Sequence, residues 1–162
     1  MMNRVEKWYR SSVLMIGHFF IVLIVGLSLA GEAVAATIRV PRDYPTIQKA
    51  IDAARKRDKV RVSRGTYYEN ITMKEGVTIE GGWNKDFSRR DISAYVTTID
   101  GGKKGGWVVY GANEATLSGF TIINATRIER GDSTIGAGVH CNSTSPTIIN
   151  NVIKANAPAG IY

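Results

Sequence analysis

Three aspartates and two arginines crowd one part of the chain: Asp86, Asp91 and Asp100, with Arg89 and Arg90 among them. Carboxylates grouped in this way can do two kinds of chemistry. A pair held about 5–5.5 Å or about 6.5–9.5 Å apart hydrolyses a glycosidic bond with retention or inversion. A group that gathers calcium can neutralise a substrate carboxylate while a nearby Arg or Lys takes the proton α to it. Asp86 and Asp91 fall in an irregular stretch, so their spacing does not fix their separation. Asp100 follows Glu80 in matching surroundings, Ile79-Glu80-Gly81-Gly82 and Ile99-Asp100-Gly101-Gly102. If one circuit of chain is about that long, the two acids stack. An acid before Gly fits an exposed turn equally well.

Aromatic side chains offer a second kind of chemistry. Tyr67, Tyr68, Trp83, Trp107 and Tyr110 have flat apolar faces on which pyranose rings stack. Tyr67 and Tyr68 adjoin, so one of them points inward. Trp107 opens a strand and is expected half-buried. Trp83, Trp107 and Tyr68 are the candidate substrate contacts, with Trp83 foremost because it opens a charged insertion. Cys141 is the one cysteine, which excludes an intrachain disulfide and a multi-Cys metal site. It reads as a small buried hydrophobe, and His140 beside it in a strand faces the other way.

Short strands must position these groups. Ala137-Gly138-Val139-His140 returns 22 residues later as Ala159-Gly160-Ile161-Tyr162, and Leu117–Ile122 is echoed 31 residues on by Ile148–Ile153. The excess in the second interval fits an outward loop around 127–134, and 83–96 is a further charged and aromatic insertion. Strand-like triplets separated by Gly, Asn and Pro turns at this period predict a parallel β-helix, in which each circuit rises one strand spacing and buries nothing alone. Asn124, Asn150, Asn151 and Asn156 then serve left-handed turns and bond to equivalents in the next coil. Ahead of the strands, Thr46 caps a helix with Ile47, Ala50, Ile51 and Ala54 on one face. The helix is expected to span 46–56, with the basic run Arg55-Lys56-Arg57 complementing its dipole, and to cover the open end of the stack.

The first 35 residues read as a leader. Arg4, Lys7 and Arg10 precede an almost uninterrupted apolar run at Val13–Ala30, and Ala33-Val34-Ala35 is a small-x-small cleavage site. The run also reaches the minimum length of a membrane anchor, so an uncleaved leader is the one membrane association expected. Residues 36–162 form the globular part. The formal charge of the chain is +7. For an exported chain this excludes nucleic acid as the natural partner and favours acidic polysaccharide.

Residues 40–82, VPRDYPTIQKAIDAARKRDKVRVSRGTYYENITMKEGVTIEGG, resemble the N-terminal cap and first coil of pectin-lyase-like β-helix proteins. The shared pattern is Pro-Thr-Ile-Gln-x-Ala-Ile, then Gly-x-Tyr-x-Glu-x-Ile, then Val-Thr-Ile-x-Gly. ATLSGFTIINA (115–125) and SPTIINNVIKANAPAGIY (145–162) resemble the coils that follow. The resemblance implies an all-β, right-handed parallel β-helix with an N-terminal capping helix, whose coils continue past Tyr162. That superfamily holds lyases, esterases, hydrolases, epimerases, adhesins and periplasmic accessory proteins, so it leaves open whether the chain is an enzyme. The leading expectation is an extracytoplasmic polysaccharide-recognition module that needs no cofactor. A carbohydrate-active enzyme, using calcium if a lyase, and a periplasmic accessory or adhesin repeat are the alternatives. No lyase or esterase motif is present residue for residue.

Overall fold

Strands of two to eight residues, each too short to stand alone, pair with strands a full circuit away in the chain. The computed structural model describes residues 34–102, 104–130, 133–157 and 159–161. Within it Ala35–Tyr162 form one compact unit. The expected leader, apart from its last two residues, lies outside the described residues. Among the described residues no helix is long and apolar enough to cross a membrane.

The elements run β1 (Thr37–Val40), α1 (Ile47–Ala53), β2 (Lys59–Ser63), β3 (Gly65–Tyr67), β4 (Ile71–Thr72), β5 (Thr78–Trp83), β6 (Thr97–Asp100) and β7 (Gly106–Tyr110). They continue as β8 (Thr116–Ser118), β9 (Thr121–Ile123), β10 (Ile128–Arg130), β11 (Ser133–His140), β12 (Thr147–Ile149), β13 (Val152–Ile153) and β14 (Ala159–Ile161). After the helix the chain visits three sheets in rotation. The first is β1-β2-β5-β8-β12, the second β3-β6-β9-β13, and the third β4-β7-β11-β14. All pairings within these three rows are parallel. This winding fits a parallel β-helix. Both long-range echoes in the sequence are real registers: Val139 lies beside Ile161, and Leu117 beside Ile148.

Three apolar columns fill the interior because parallel register puts like positions over one another. They are Val60–Ile79–Leu117–Ile148 in the first sheet, Tyr67–Ile99–Ile122–Ile153 in the second and Ile71–Val109–Val139–Ile161 in the third. Leu117, Ile122 and Val139 in the middle of the columns are fully buried, whereas Ile161 in the last strand is 59% exposed. Each buried member contributes about 1.5–3 kcal/mol.

The helix is shorter than its sequence suggests. Thr46 caps it through Lys49 N–H, and Ile47, Ala50 and Ile51 are buried. It stops at Ala53, so Arg55–Arg57 lie beyond it and no base occupies its last turn. The break has a visible cause: the Asp58 carboxylate draws the Arg55 amide to 2.7 Å and turns the chain into β2. The Glu69 carboxylate, in the connection from β3 to β4, accepts from Ile47 and Gln48 N–H at 2.9 and 3.0 Å. Gln48 in turn accepts from Thr72 N–H in β4. The helix is thus laced to the first circuit by the side chains of the Gln and Glu that the two halves of the recognisable motif carry.

The outward excursion expected at 127–134 is present, and two other expectations are corrected. The 127–134 excursion pairs β10 antiparallel with the start of β11, a local reversal like the antiparallel bridge between Trp83 and Arg90. Glu80 does not stack with Asp100, because Glu80 lies in the first sheet beside Ser118 and Asp100 in the second beside Ile123. The 20-residue echo therefore joins different sheets. Finally, Asn151 and Asn156 in the last circuit reach the main chain of the preceding turn, not an equivalent Asn. Asn151 accepts from Phe120 N–H and donates to Leu117 C=O, and Asn156 does the same between Ala125 N–H and Ile122 C=O. Asn124 and Asn150 do adopt the expected positive φ, 64° and 56°.

Candidate functional site

The proposed acids are each committed to their own turn. Asp86 is exposed and accepts from Ser88 Oγ at 3.0 Å. Asp91 accepts from the amides of Ala94 and Ser93, both at 3.0 Å, which in that order hold its carboxyl below the usual carboxylate range. Asp100 is buried and accepts from Gly102 N–H and Asn124 Nδ2, both at 2.8 Å. These bonds are the work of turn-formers. Among the described residues no three His, Cys, Asp or Glu side chains converge on a common point that could hold a metal ion.

The two arginines are also accounted for. Residues 84–96 fold back on themselves, with Asn84 bonded to both main-chain groups of Arg89 and Phe87 buried. Arg90 donates to Gly81 C=O at 2.9 Å and Ser118 Oγ at 2.9 Å, pinning the insertion across the first sheet. Gly119 permits this approach: it has φ +81°, and a Cβ there would lie 2.8 Å from Ile92 and 2.9 Å from the Arg90 guanidinium. Arg89 is exposed, 3.9 Å from Asp91.

The three candidate sugar contacts separate. Trp83, expected to stand exposed, is half-buried at the end of β5, and the Arg61 guanidinium sits 4.2 Å over its ring. Arg61 also approaches Glu80 at 3.6 Å. One face of the Trp83 ring is thereby occupied by a cation–π contact. Tyr68 is 68% exposed, while its neighbour Tyr67 turns inward and donates to Ser63 C=O at 3.1 Å. Trp107 is half-buried, as its place in a strand implies.

Trp107 belongs to a cluster. Its ring is stacked on His140 at 4.9 Å with 13° between planes, and it meets Tyr110 at 5.1 Å and 53°. Tyr110 and His140 close the triangle at 5.3 Å. Two features of the fold assemble it. Parallel register places His140 of β11 directly beside Tyr110 of β7. Within β7, Val108 and Val109 are both fully buried, so the usual alternation slips and Trp107 shares a face with Tyr110 three residues on. The cluster stands on the third sheet, where the Asn70 side chain donates to Trp107 C=O at 2.5 Å. Ile128 of the hairpin packs over Gly105 and Gly106 at the start of β7, in space that a Cβ on Gly105 would invade at 2.6 Å. Two exposed bases lie near β7 in the chain or through a bridge: Lys104 two residues before Gly106, and Arg127 next to Thr126, which bridges to Gly106.

His140 is the member that sequence reasoning passed over, since only its chain neighbour Cys141 was weighed as its partner. The signal was present in the recurrence itself, which puts an aromatic at His140 and again at Tyr162. Cys141 packs partly buried against the core, and desolvation pushes its thiol above its ordinary value, away from a reactive thiolate.

No curated protein and no solved structure matches the chain significantly. A family profile does, and it spans the whole unit just described. Over residues 33–162 the chain belongs to the family described as protein of unknown function (DUF1565).

Proposed function

We propose that this is an exported, right-handed parallel β-helix of the pectin-lyase-like kind that recognises acidic polysaccharide outside the cytoplasm, with no catalysis in these residues. The single observation carrying the reading is the Trp107–Tyr110–His140 cluster on the third sheet. Aromatic rings grouped on a sheet, one pair stacked and two tilted, offer apolar surface on which a pyranose stacks at little entropic cost. Lys104, exposed and three residues before Trp107 in the chain, is a base that can meet a uronate carboxylate. The acids weighed for catalysis are spent on turns, which argues for binding over bond cleavage.

Affinity electrophoresis through gels containing polygalacturonate or alginate tests this. The wild type is expected to be retarded, with Trp107→Ala losing most of the retardation and Trp83→Ala little of it. Equal mobility of wild type and Trp107→Ala in every acidic gel overturns the assignment. Steady release of unsaturated product from either polymer overturns the non-catalytic half.

A further inference from the structure

A hydrogen bond at the start of the compact unit carries an inference about processing. The Ala36 amide nitrogen lies 2.7 Å from Asp58 Oδ1. Asp58 is buried, and its other oxygen takes the Arg55 amide, also at 2.7 Å. Ala36 C=O is held as well, by Lys59 N–H at 2.8 Å, which extends the pairing of β1 with β2 by one residue. Val34, Ala35 and Ala36 are exposed, and the small-x-small sequence Ala33-Val34-Ala35 ends just before this bond. These two bonds hold the residue whose nitrogen would become the new N-terminus if the leader were removed after Ala35.

We propose that the Ala35–Ala36 bond is the processing site, and that Asp58 is the receptor for the α-ammonium group created at Ala36. A leader-cleaving endopeptidase adds water across the peptide C–N bond. The hydroxyl goes to the Ala35 carbonyl carbon, giving a carboxylate on the departing leader, and the nitrogen takes up protons to become –NH3+. The neutral amide-to-carboxylate bond is thereby converted into a charge-assisted ion pair in a partly enclosed position, which is the stronger interaction. Removal of the leader tightens the first strand onto the stack. Arg55 and Lys74 are the other charges near Asp58, both basic, so the carboxylate has no acidic competitor among them. The inference rests on the export half of the proposed function and is independent of glycan recognition.

The test begins with the full chain expressed in a secreting host. N-terminal sequencing of the exported form is expected to start at Ala36. An exported form with any other start overturns this inference alone, whereas a chain that keeps its leader inside the cell overturns the export reading too. Two processed chains, one starting at Ala36 and one at Ala35, are then compared with and without Asp58→Asn. The substitution is expected to raise the unfolding constant roughly tenfold more in the chain starting at Ala36. Equal effects in both chains overturn the ion pair. Where Asp58→Asn fails to fold, acylation of the α-amine in the two wild-type chains decides, followed by mass spectrometry of the N-terminal peptide. Ala36 is expected to react about tenfold more slowly than Ala35, and equal rates refute the proposal.

Discussion

Removing the Glu69 carboxylate should detach the helix from the coil it covers. The side chain accepts from two first-turn amides, Ile47 and Gln48, at 2.9 and 3.0 Å. A helix of seven residues has few other means to satisfy its N-terminal donors. Hydrogen bonds to a charged acceptor are worth about 1.5–3 kcal/mol each, and loss of a conventional cap costs about 0.5–2 kcal/mol. Glu69 is only half-buried, so water recovers part of what is lost. About 2 kcal/mol is the expected cost of Glu69→Ala, roughly a thirtyfold rise in the unfolding constant. Glu69→Gln, which keeps an acceptor without the charge, should cost about half as much. Urea titration measures both, and hydrogen exchange should show the Ile47 and Gln48 amides exchanging faster than those of β8. Glu75→Ala is the control, since Glu75 is an exposed acid paired with Lys56 and such pairs contribute little. If Glu69→Ala and Glu75→Ala shift the urea midpoint equally, the cross-coil cap is not what holds the helix.

Position along a column should set the cost of a core truncation. Leu117→Ala, in the fully buried middle of the first-sheet column, is expected to cost about 3 kcal/mol in urea unfolding, and Ile148→Ala, half-buried one circuit later, about half that. Equal costs would show that the interior is not graded toward its last strands. Asp58 predicts an acid-side response. The Arg55 and Ala36 amides, in that order, hold its carboxyl below its ordinary value of 3.8. A lowered folded-state pKa gives stability that is complete above the unfolded value and lost as pH falls through the folded one. Wild-type urea midpoints should therefore drop more steeply below about pH 4 than those of Asp58→Asn, and parallel profiles would refute the assignment.

Periodicity alone determined the architecture. A recurrence of 22 residues between strand-like triplets can bury its apolar positions in one way, by laying each circuit on the last, and Val139 beside Ile161 is the result. The helix, its Thr46 cap and the inward turn of Tyr67 were legible for the same reason, since period and capping chemistry are local. Sheet membership was not local. Glu80 and Asp100 share a sequence context yet lie in different sheets, because an insertion between them shifts the circuit length. Trp83 lost its standing as an open platform to Arg61, which the register brings over it from the neighbouring strand. The Trp107–Tyr110–His140 triangle needed both a slipped alternation inside β7 and a register with β11, 30 residues away in the chain. Local pattern decides which way a residue faces. Which residue it faces is decided only when the coils are stacked.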